Sequence, residues 1–166
     1  MPFKPVPRLR GFAYRGSHGY SLTICTHAKR PVFVTDEAVA AVMAQLLRTS
    51  ADCHFEICAY CFMPDHLHLV VAGTARDASL TEFVRVFKQR SAYHWRQGSG
   101  DRLWQRSYFE HVLRVDADLL RAVRYALENP VRAGLVTRVE DYPFVGSMTM
   151  QVIETRPTGR STRRPT

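Results

Sequence analysis

The sequence predicts a ferredoxin-like α+β sandwich: a split βαβ unit whose antiparallel sheet carries helices on one face, with a C-terminal helix added to it. Three observations predict it. The apolar repeat switches between the two-residue period of strands and the 3.6-residue period of helices, in the order β-α-β-β-α-β-α. The first six elements of that order are those of a split βαβ sandwich with two helices over one sheet face. The chain has 166 residues, 46% of them hydrophobic, which is material for one core and not for two.

Each element carries a local signal. Tyr20-Ser-Leu-Thr-Ile-Cys-Thr26 alternates as a strand does, and Thr35-Asp-Glu opens an alanine- and leucine-rich helix up to about Arg48. Phe55 to Phe62 and His66 to Ala72 read as two strands joined at Met63-Pro-Asp65, and so as antiparallel neighbours. Ser79-Leu-Thr-Glu82 is a capping box, after which Leu80, Phe83, Val84 and Phe87 recur at helical spacing until Gly98 and Gly100. Tyr108 to Arg114 is a further strand. Asp116 then caps a last helix whose end is marked by Asn129-Pro130.

The ends differ from the middle. Residues 1–16, with three prolines and three arginines, read as a basic N-terminal arm. Residues 17–150 form the folded domain, and residues 151–166 a basic, disordered tail carrying Arg160, Arg163 and Arg164. The formal charge is +8 and all but Lys4, Lys29 and Lys88 of the 23 basic residues are arginines. This favours a polyanionic partner, nucleic acid ahead of an anionic membrane surface. No apolar run is long enough to span a bilayer, no secretory signal pattern opens the chain, and four cysteines are too few for a stapled secreted scaffold. A cytoplasmic protein with reduced thiols, at the nucleoid when bound to DNA, is the expectation.

Two constellations carry chemistry. In Pro64-Asp-His-Leu-His-Leu-Val70, His66 and His68 project from one strand face, where they could converge on a cation or merely hydrogen-bond. On the last helix Leu120, Val123 and Leu127 form the predicted apolar stripe, with Tyr125 and Asn129 one turn apart and roughly 150–180° away from it. Tyr93 is placed off the stripe of its own helix in the same way, and periodicity cannot separate it from Tyr125. Cys58 and Cys61 point to opposite faces of a regular strand, against a shared metal. Glu110 and His111 are candidates for orienting a ligand or relaying a proton, or for a strand-end salt bridge. Trp104, Tyr108 and Phe109 pack in a core by default, although Trp104 and Phe109 could stack on bases. Arg85, Lys88, Arg90, Arg96, Arg121, Arg124 and Arg132 could make a basic track along the two later helices. A phosphate-binding GxxxxGK[ST] loop and the signature of zinc base deaminases are both missing.

Three segments together become recognisable. Tyr60-Cys-Phe-Met-Pro-Asp-His-Leu-His-Leu-Val-Val71, Leu103-Trp-Gln-Arg-Ser-Tyr-Phe-Glu-His-Val-Leu-Arg114 and Tyr125-Ala-Leu-Glu-Asn-Pro-Val-Arg-Ala-Gly-Leu-Val136 closely resemble REP-associated tyrosine transposases, one-tyrosine HUH-type enzymes. The resemblance runs from about Gly19 to Pro143. It implies a metal-dependent single-strand endonuclease and strand transferase acting beside hairpins of repetitive extragenic palindromes through a 5′-phosphotyrosine. Carried over by position, His66 and His68 are the paired metal ligands, Asn129 the third and Tyr125 the nucleophile, with Mg²⁺ or Mn²⁺ as the family's cation. Histidine ligation would also accept Zn²⁺. Arg85, Lys88, Arg121, Arg124, Arg132 and the tail arginines would hold single-stranded and hairpin DNA. Relatives occur as monomers and as homodimers. Asp65 stands where asparagine is common, a change that bears on the field at the metal. The alternative of another class is a non-catalytic hairpin-binding regulator that keeps the basic surface.

Overall fold

A computed structural model describes residues 9–114 and 116–147. Its elements are β1 (Gly19–Cys25), α1 (Asp36–Asp52), β2 (Phe55–Met63), β3 (His66–Gly73), α2 (Leu80–Ser99), β4 (Phe109–Leu113), α3 (Asp116–Arg132) and β5 (Val145–Ser147), with single 3₁₀ turns before α1 and after α3. The strands form one sheet in the order β4-β1-β3-β2-β5, each pair antiparallel. The first four strands thus have the order of the predicted split βαβ sandwich, and β5 extends the edge beyond β2.

Strand alternation separates the faces. On one, Tyr20, Leu22 and Ile24 of β1 and Leu67, Leu69 and Val71 of β3 meet Val42 and Leu46 of α1 and Phe83 and Phe87 of α2 in the main core. Thr35 caps α1 by accepting from the Ala38 amide at 3.3 Å, and Ser79 caps α2 by accepting from the Glu82 amide at 3.5 Å. Each fully buried leucine of this layer contributes about 1.5–3 kcal/mol relative to exposure. The opposite face is apolar only in part. Cys58, Ala59, Val70 and Leu113 form a small second cluster, and α3 docks there through Val123 and Ala126. The third helix therefore lies across the sheet from the other two.

The docking of α3 corrects the predicted stripe. Leu120 is 40% exposed, whereas Val123, Ala126 and Asn129 are buried. The second cluster takes Val123 and Ala126 of α3, with Leu119, Ala122 and Leu127 partly buried against it, and leaves Leu120 outside. The helix is thereby rotated, and Asn129 turns inward while Tyr125 stays on the exposed flank. Nor does α3 stop at Asn129-Pro130: Pro130 lies inside it. Proline has no N–H for the carbonyl of Ala126, and the Asn129 side-chain amide donates to that carbonyl at 3.4 Å instead. Termination comes at Gly134, with φ +71°, where Leu135 N–H bonds Pro130 O at 2.9 Å and Gly134 N–H bonds Val131 O at 3.0 Å.

Two further expectations change. The N-terminal arm is partly folded, since Tyr14 is buried and its carbonyl accepts from the Leu80 amide at 3.0 Å. The stitch is completed at Gly73, where a Cβ would lie 2.1 Å from the Gly16 carbonyl oxygen, so only glycine admits the approach. A register shift between Ile57 and Ala59 breaks the alternation of β2, and Cys58 joins the face on which Cys61 pairs with His68. The two thiols share a side after all. Both are buried thiols, with no disulfide among the described residues. Burial pushes the Cys61 thiol up to about 12, which keeps it protonated. The tail at 151–166 lies outside the described residues.

Candidate functional site

The site grows out of one cross-sheet row. Antiparallel register places Phe109, Thr23, His68 and Cys61 side by side on the α3 face, with Cys25, His66 and Met63 in the adjoining row. Leu67, between the histidines, is fully buried in the main core, so the strand cannot rotate without expelling it.

Both imidazoles are held from behind. His66 Nδ1 lies 2.6 Å from Asp65 Oδ1, to which it donates, and His68 Nδ1 lies 3.1 Å from Thr23 Oγ1. Their Nε2 atoms face each other at 3.0 Å, with the rings nearly perpendicular. Desolvation, then the His66 charge and that of Arg132, push His68 down to about 3, so it is neutral at physiological pH. A neutral imidazole is the form that binds metal, and Thr23 can donate to Nδ1 or accept from it as the tautomer requires.

Donor chemistry fits a divalent cation. Two imidazole nitrogens that converge to 3.0 Å can share one divalent cation or hydrogen-bond to each other. Among the described residues no group of three or more His, Cys, Asp and Glu is assembled for a metal. Any third protein ligand among the described residues is thus of another type. Asn129 is 8% exposed, and its Nδ2 is spent on the carbonyls of Tyr125 and Ala126 at 3.1 and 3.4 Å. Its side-chain oxygen is the atom suited to a hard cation.

Tyr125 lies beside the pair. Its ring is 54% exposed, and its centroid is 6.5 Å from that of His68, at 90°. The Arg132 guanidinium covers it, with Cζ 3.6 Å from the ring centroid. An open cleft of about 370 Å³ flanks the phenol, lined by Ser21, His111, Leu113, Arg121 and Ala122 among others. Tyr93, 63% exposed, belongs to α2 on the other side of the sheet. Periodicity left two candidate tyrosines, and only Tyr125 is brought to the imidazoles.

The family described as IS200-like transposases matches residues 15–125, a stretch that ends on Tyr125. A Haemophilus influenzae protein assigned to the REP-associated tyrosine transposases is 30% identical over 141 residues, covering 75% of this chain and 77% of its own. The chain belongs to this transposase family. The Escherichia coli REP-associated tyrosine transposase is 28% identical over 99 residues, covering 60% of this chain and 58% of its own. A REP-associated tyrosine transposase solved with a REP hairpin shares the fold, with TM-score 0.73 at 23% identity over 96% of this chain and 95% of the other. No helix among the described residues is long and apolar enough to cross a membrane.

The remaining site expectations of the transposase reading sort by face. His111 pairs with Ser21 on the site face, whereas Glu110 pairs with Leu22 on the face of the main core. Trp104 is buried, with Nε1 donating to Ser91 Oγ at 2.8 Å, but Phe109 is half-buried on the site face. The single basic track is corrected, because α2 and α3 lie on opposite faces of the sheet. On α2, Arg85 pairs with Glu82 at 2.5 Å and Arg90 with Asp52 at 2.6 Å. Lys88 bonds the carbonyls of Gln105 and Arg106 at 2.6 and 2.8 Å. Burial first, then the charge of Arg102, brings Lys88 down to about 8, the behaviour of a latch on the loop before β4 rather than of a free phosphate contact. Arg121, paired with Asp118, together with Arg124 and Arg132 stays on the site helix. Arg160, Arg163 and Arg164 lie outside the described residues.

Thr23 and Asp65, the partners of the imidazoles, were not assigned that task from sequence. An acidic residue next to a histidine pair was the available signal for Asp65. Thr23 becomes visible only through the β1–β3 register.

Proposed function

We propose that this transposase is a divalent-metal-dependent single-strand DNA endonuclease and strand transferase, with Tyr125 as nucleophile. It acts beside hairpin DNA of the kind bound by its structural neighbour. The observation that carries the proposal is the edge-on Tyr125 ring, 6.5 Å from a His68 whose Nε2 converges with that of His66.

The residues divide the work. His66, His68 and the Asn129 side-chain oxygen would hold Mg²⁺ or Mn²⁺. When bound, the cation supplies charge neutralisation at the scissile phosphate and favours the charge-rich transition state. A protonated phenol is a weak nucleophile, so Tyr125 must give up its proton as it attacks. The Tyr125 oxygen bonds to phosphorus, the P–O3′ bond breaks, and the departing 3′-oxygen takes up a proton. A 5′-phosphotyrosine and a free 3′-hydroxyl result. Another strand's 3′-hydroxyl reverses the exchange without ATP, because the phosphodiester linkage is conserved in the protein–DNA bond. Asp65 and Thr23 hold the rings by Nδ1, which leaves Nε2 as the atom that would ligate a cation. Arg121, Arg124 and the tail arginines steer and hold the strand.

The test is incubation with a hairpin oligonucleotide carrying label on the 3′ side of the cut, with Mg²⁺ or Mn²⁺. An SDS-resistant adduct of protein and labelled strand is expected. Hairpin binding without any adduct would replace the proposal with the non-catalytic regulator.

Two further outcomes follow from the site. Asp65→Asn keeps an acceptor for His66 but removes its negative charge, and should weaken Mn²⁺ binding roughly 10-fold, measured on the DNA-free protein by calorimetry. Unchanged affinity would show that the carboxylate charge does not reach the metal. Affinity for single-stranded hairpin DNA should fall steeply with salt, log Kd rising by about 0.7 per phosphate contact for each unit of log salt. A flat salt response would remove the basic residues from the account.

A further inference from the structure

Arg132 was expected to contact phosphate, yet its side chain is committed within its own helix. Its Nη2 donates to the Tyr125 carbonyl at 2.6 Å, its Nη1 reaches Glu128 Oε2 at 3.3 Å, and its flat face lies on the Tyr125 ring. Residues seven apart on a helix are aligned two turns away from each other, so a long side chain can lie back along the surface and span that gap.

We propose that Arg132 is a positioning residue that fixes the Tyr125 ring beside the imidazole pair. The inference rests on Tyr125 being the nucleophile. Three contacts lock the guanidinium: a carbonyl, a carboxylate and an aromatic face. A plane locked in this way is a shelf for the ring of Tyr125, a residue that is 54% exposed even with Arg132 in place. The preceding turn helps to build the shelf. Pro130 lacks an N–H, and Asn129 uses Nδ2 to bond the carbonyls of both Ala126 and Tyr125, tying the residue before the proline to the base of the tyrosine. Asn129, Pro130 and Arg132 thus join the end of α3 to the orientation of one phenol. An exposed nucleophile on a helix flank gains rate when it is held in its attack geometry, because misplacement by ~1 Å costs on the order of 10²-fold.

The rival role for an exposed arginine is a phosphate contact, and lysine separates the two. Lysine keeps the charge but has no plane to stack and no fork to bridge carbonyl and carboxylate. Arg132→Lys is therefore expected to slow single-turnover adduct formation about 10²-fold, with hairpin affinity and its salt slope retained. Arg132→Gln should slow it at least as much. The second readout needs no DNA. With ¹³C-labelled tyrosine, the Tyr125 ring signal, assigned by its loss in Tyr125→Phe, should shift and broaden in Arg132→Lys while the thermal midpoint stays within a few degrees. Near-wild-type adduct rate in Arg132→Lys, or an unmoved Tyr125 signal, would overturn the shelf. Should the wild type form no adduct at all, the nucleophile reading fails by itself, and the ring signal still decides whether Arg132 orients Tyr125.

Discussion

Tyr125→Phe is expected to abolish the covalent protein–DNA adduct and to leave hairpin affinity within about threefold, the loss of one exposed hydroxyl being small beside the phosphate contacts. The substitution deletes only the phenol oxygen. The ring that meets His68 at 6.5 Å and carries Arg132 at 3.6 Å is retained, so the helix and its flank are undisturbed. Removing a covalent nucleophile leaves no atom to take the phosphoryl group, and losses on the order of 10⁴-fold or more are expected. Tyr93→Phe is the matched control: its phenol lies on α2, across the sheet, and adduct yield should be unchanged. Denaturing gel electrophoresis with strand-labelled hairpin reads both variants. Adduct surviving in Tyr125→Phe and vanishing in Tyr93→Phe would mean that the other face of the sheet carries the chemistry.

His68→Ala is expected to eliminate detectable Mn²⁺ binding and adduct formation together. His68 is 8% exposed, and its Nε2 is one of two nitrogens that face each other at 3.0 Å. Removal of a partner that merely orients a ligand lowers metal affinity 10–100-fold, and loss of the ligand itself should exceed the upper end of that range, more than about 10²-fold. His66→Ala should behave similarly. Chelation of the wild type should stop adduct formation, and Mn²⁺ or Mg²⁺ should restore it. Hairpin affinity in chelator should persist, since phosphate contacts from arginine do not need the cation. Calorimetry of Mn²⁺ binding beside gel-shift titration separates these quantities. A His68→Ala protein that still bound Mn²⁺ with wild-type affinity would place the metal elsewhere.

Much of this site is legible from the chain because strand geometry is local. His66-Leu67-His68 puts two imidazoles on one face whatever the rest of the fold does, and the buried Leu67 keeps them there. The caps at Thr35 and Ser79 were legible for the same reason, each depending on atoms within three residues. Helix faces were less so. The stripe on α3 was read through Leu120, but the docking surface of Cys58, Ala59 and Val70 takes Val123 and Ala126 and leaves Leu120 outside. The relation between Cys58 and Cys61 failed through a single bulge in β2, which reverses the facing of every residue beyond it.

The types and order of β1 to α3, though not the short β5, the paired imidazoles and a tyrosine and an asparagine one turn apart were determined by sequence alone, because side-chain direction within an element follows its own period. Which tyrosine meets the imidazoles, left open by periodicity and pointed to by the family motif, was decided by tertiary structure. So were the separation of the α2 and α3 cations, the placing of Thr23 behind His68 and the laying of Arg132 on the phenol. The first three depend on which sheet face each helix covers and on strand register, the last on how α3 docks and ends. Those are set by long-range burial, which no local period encodes.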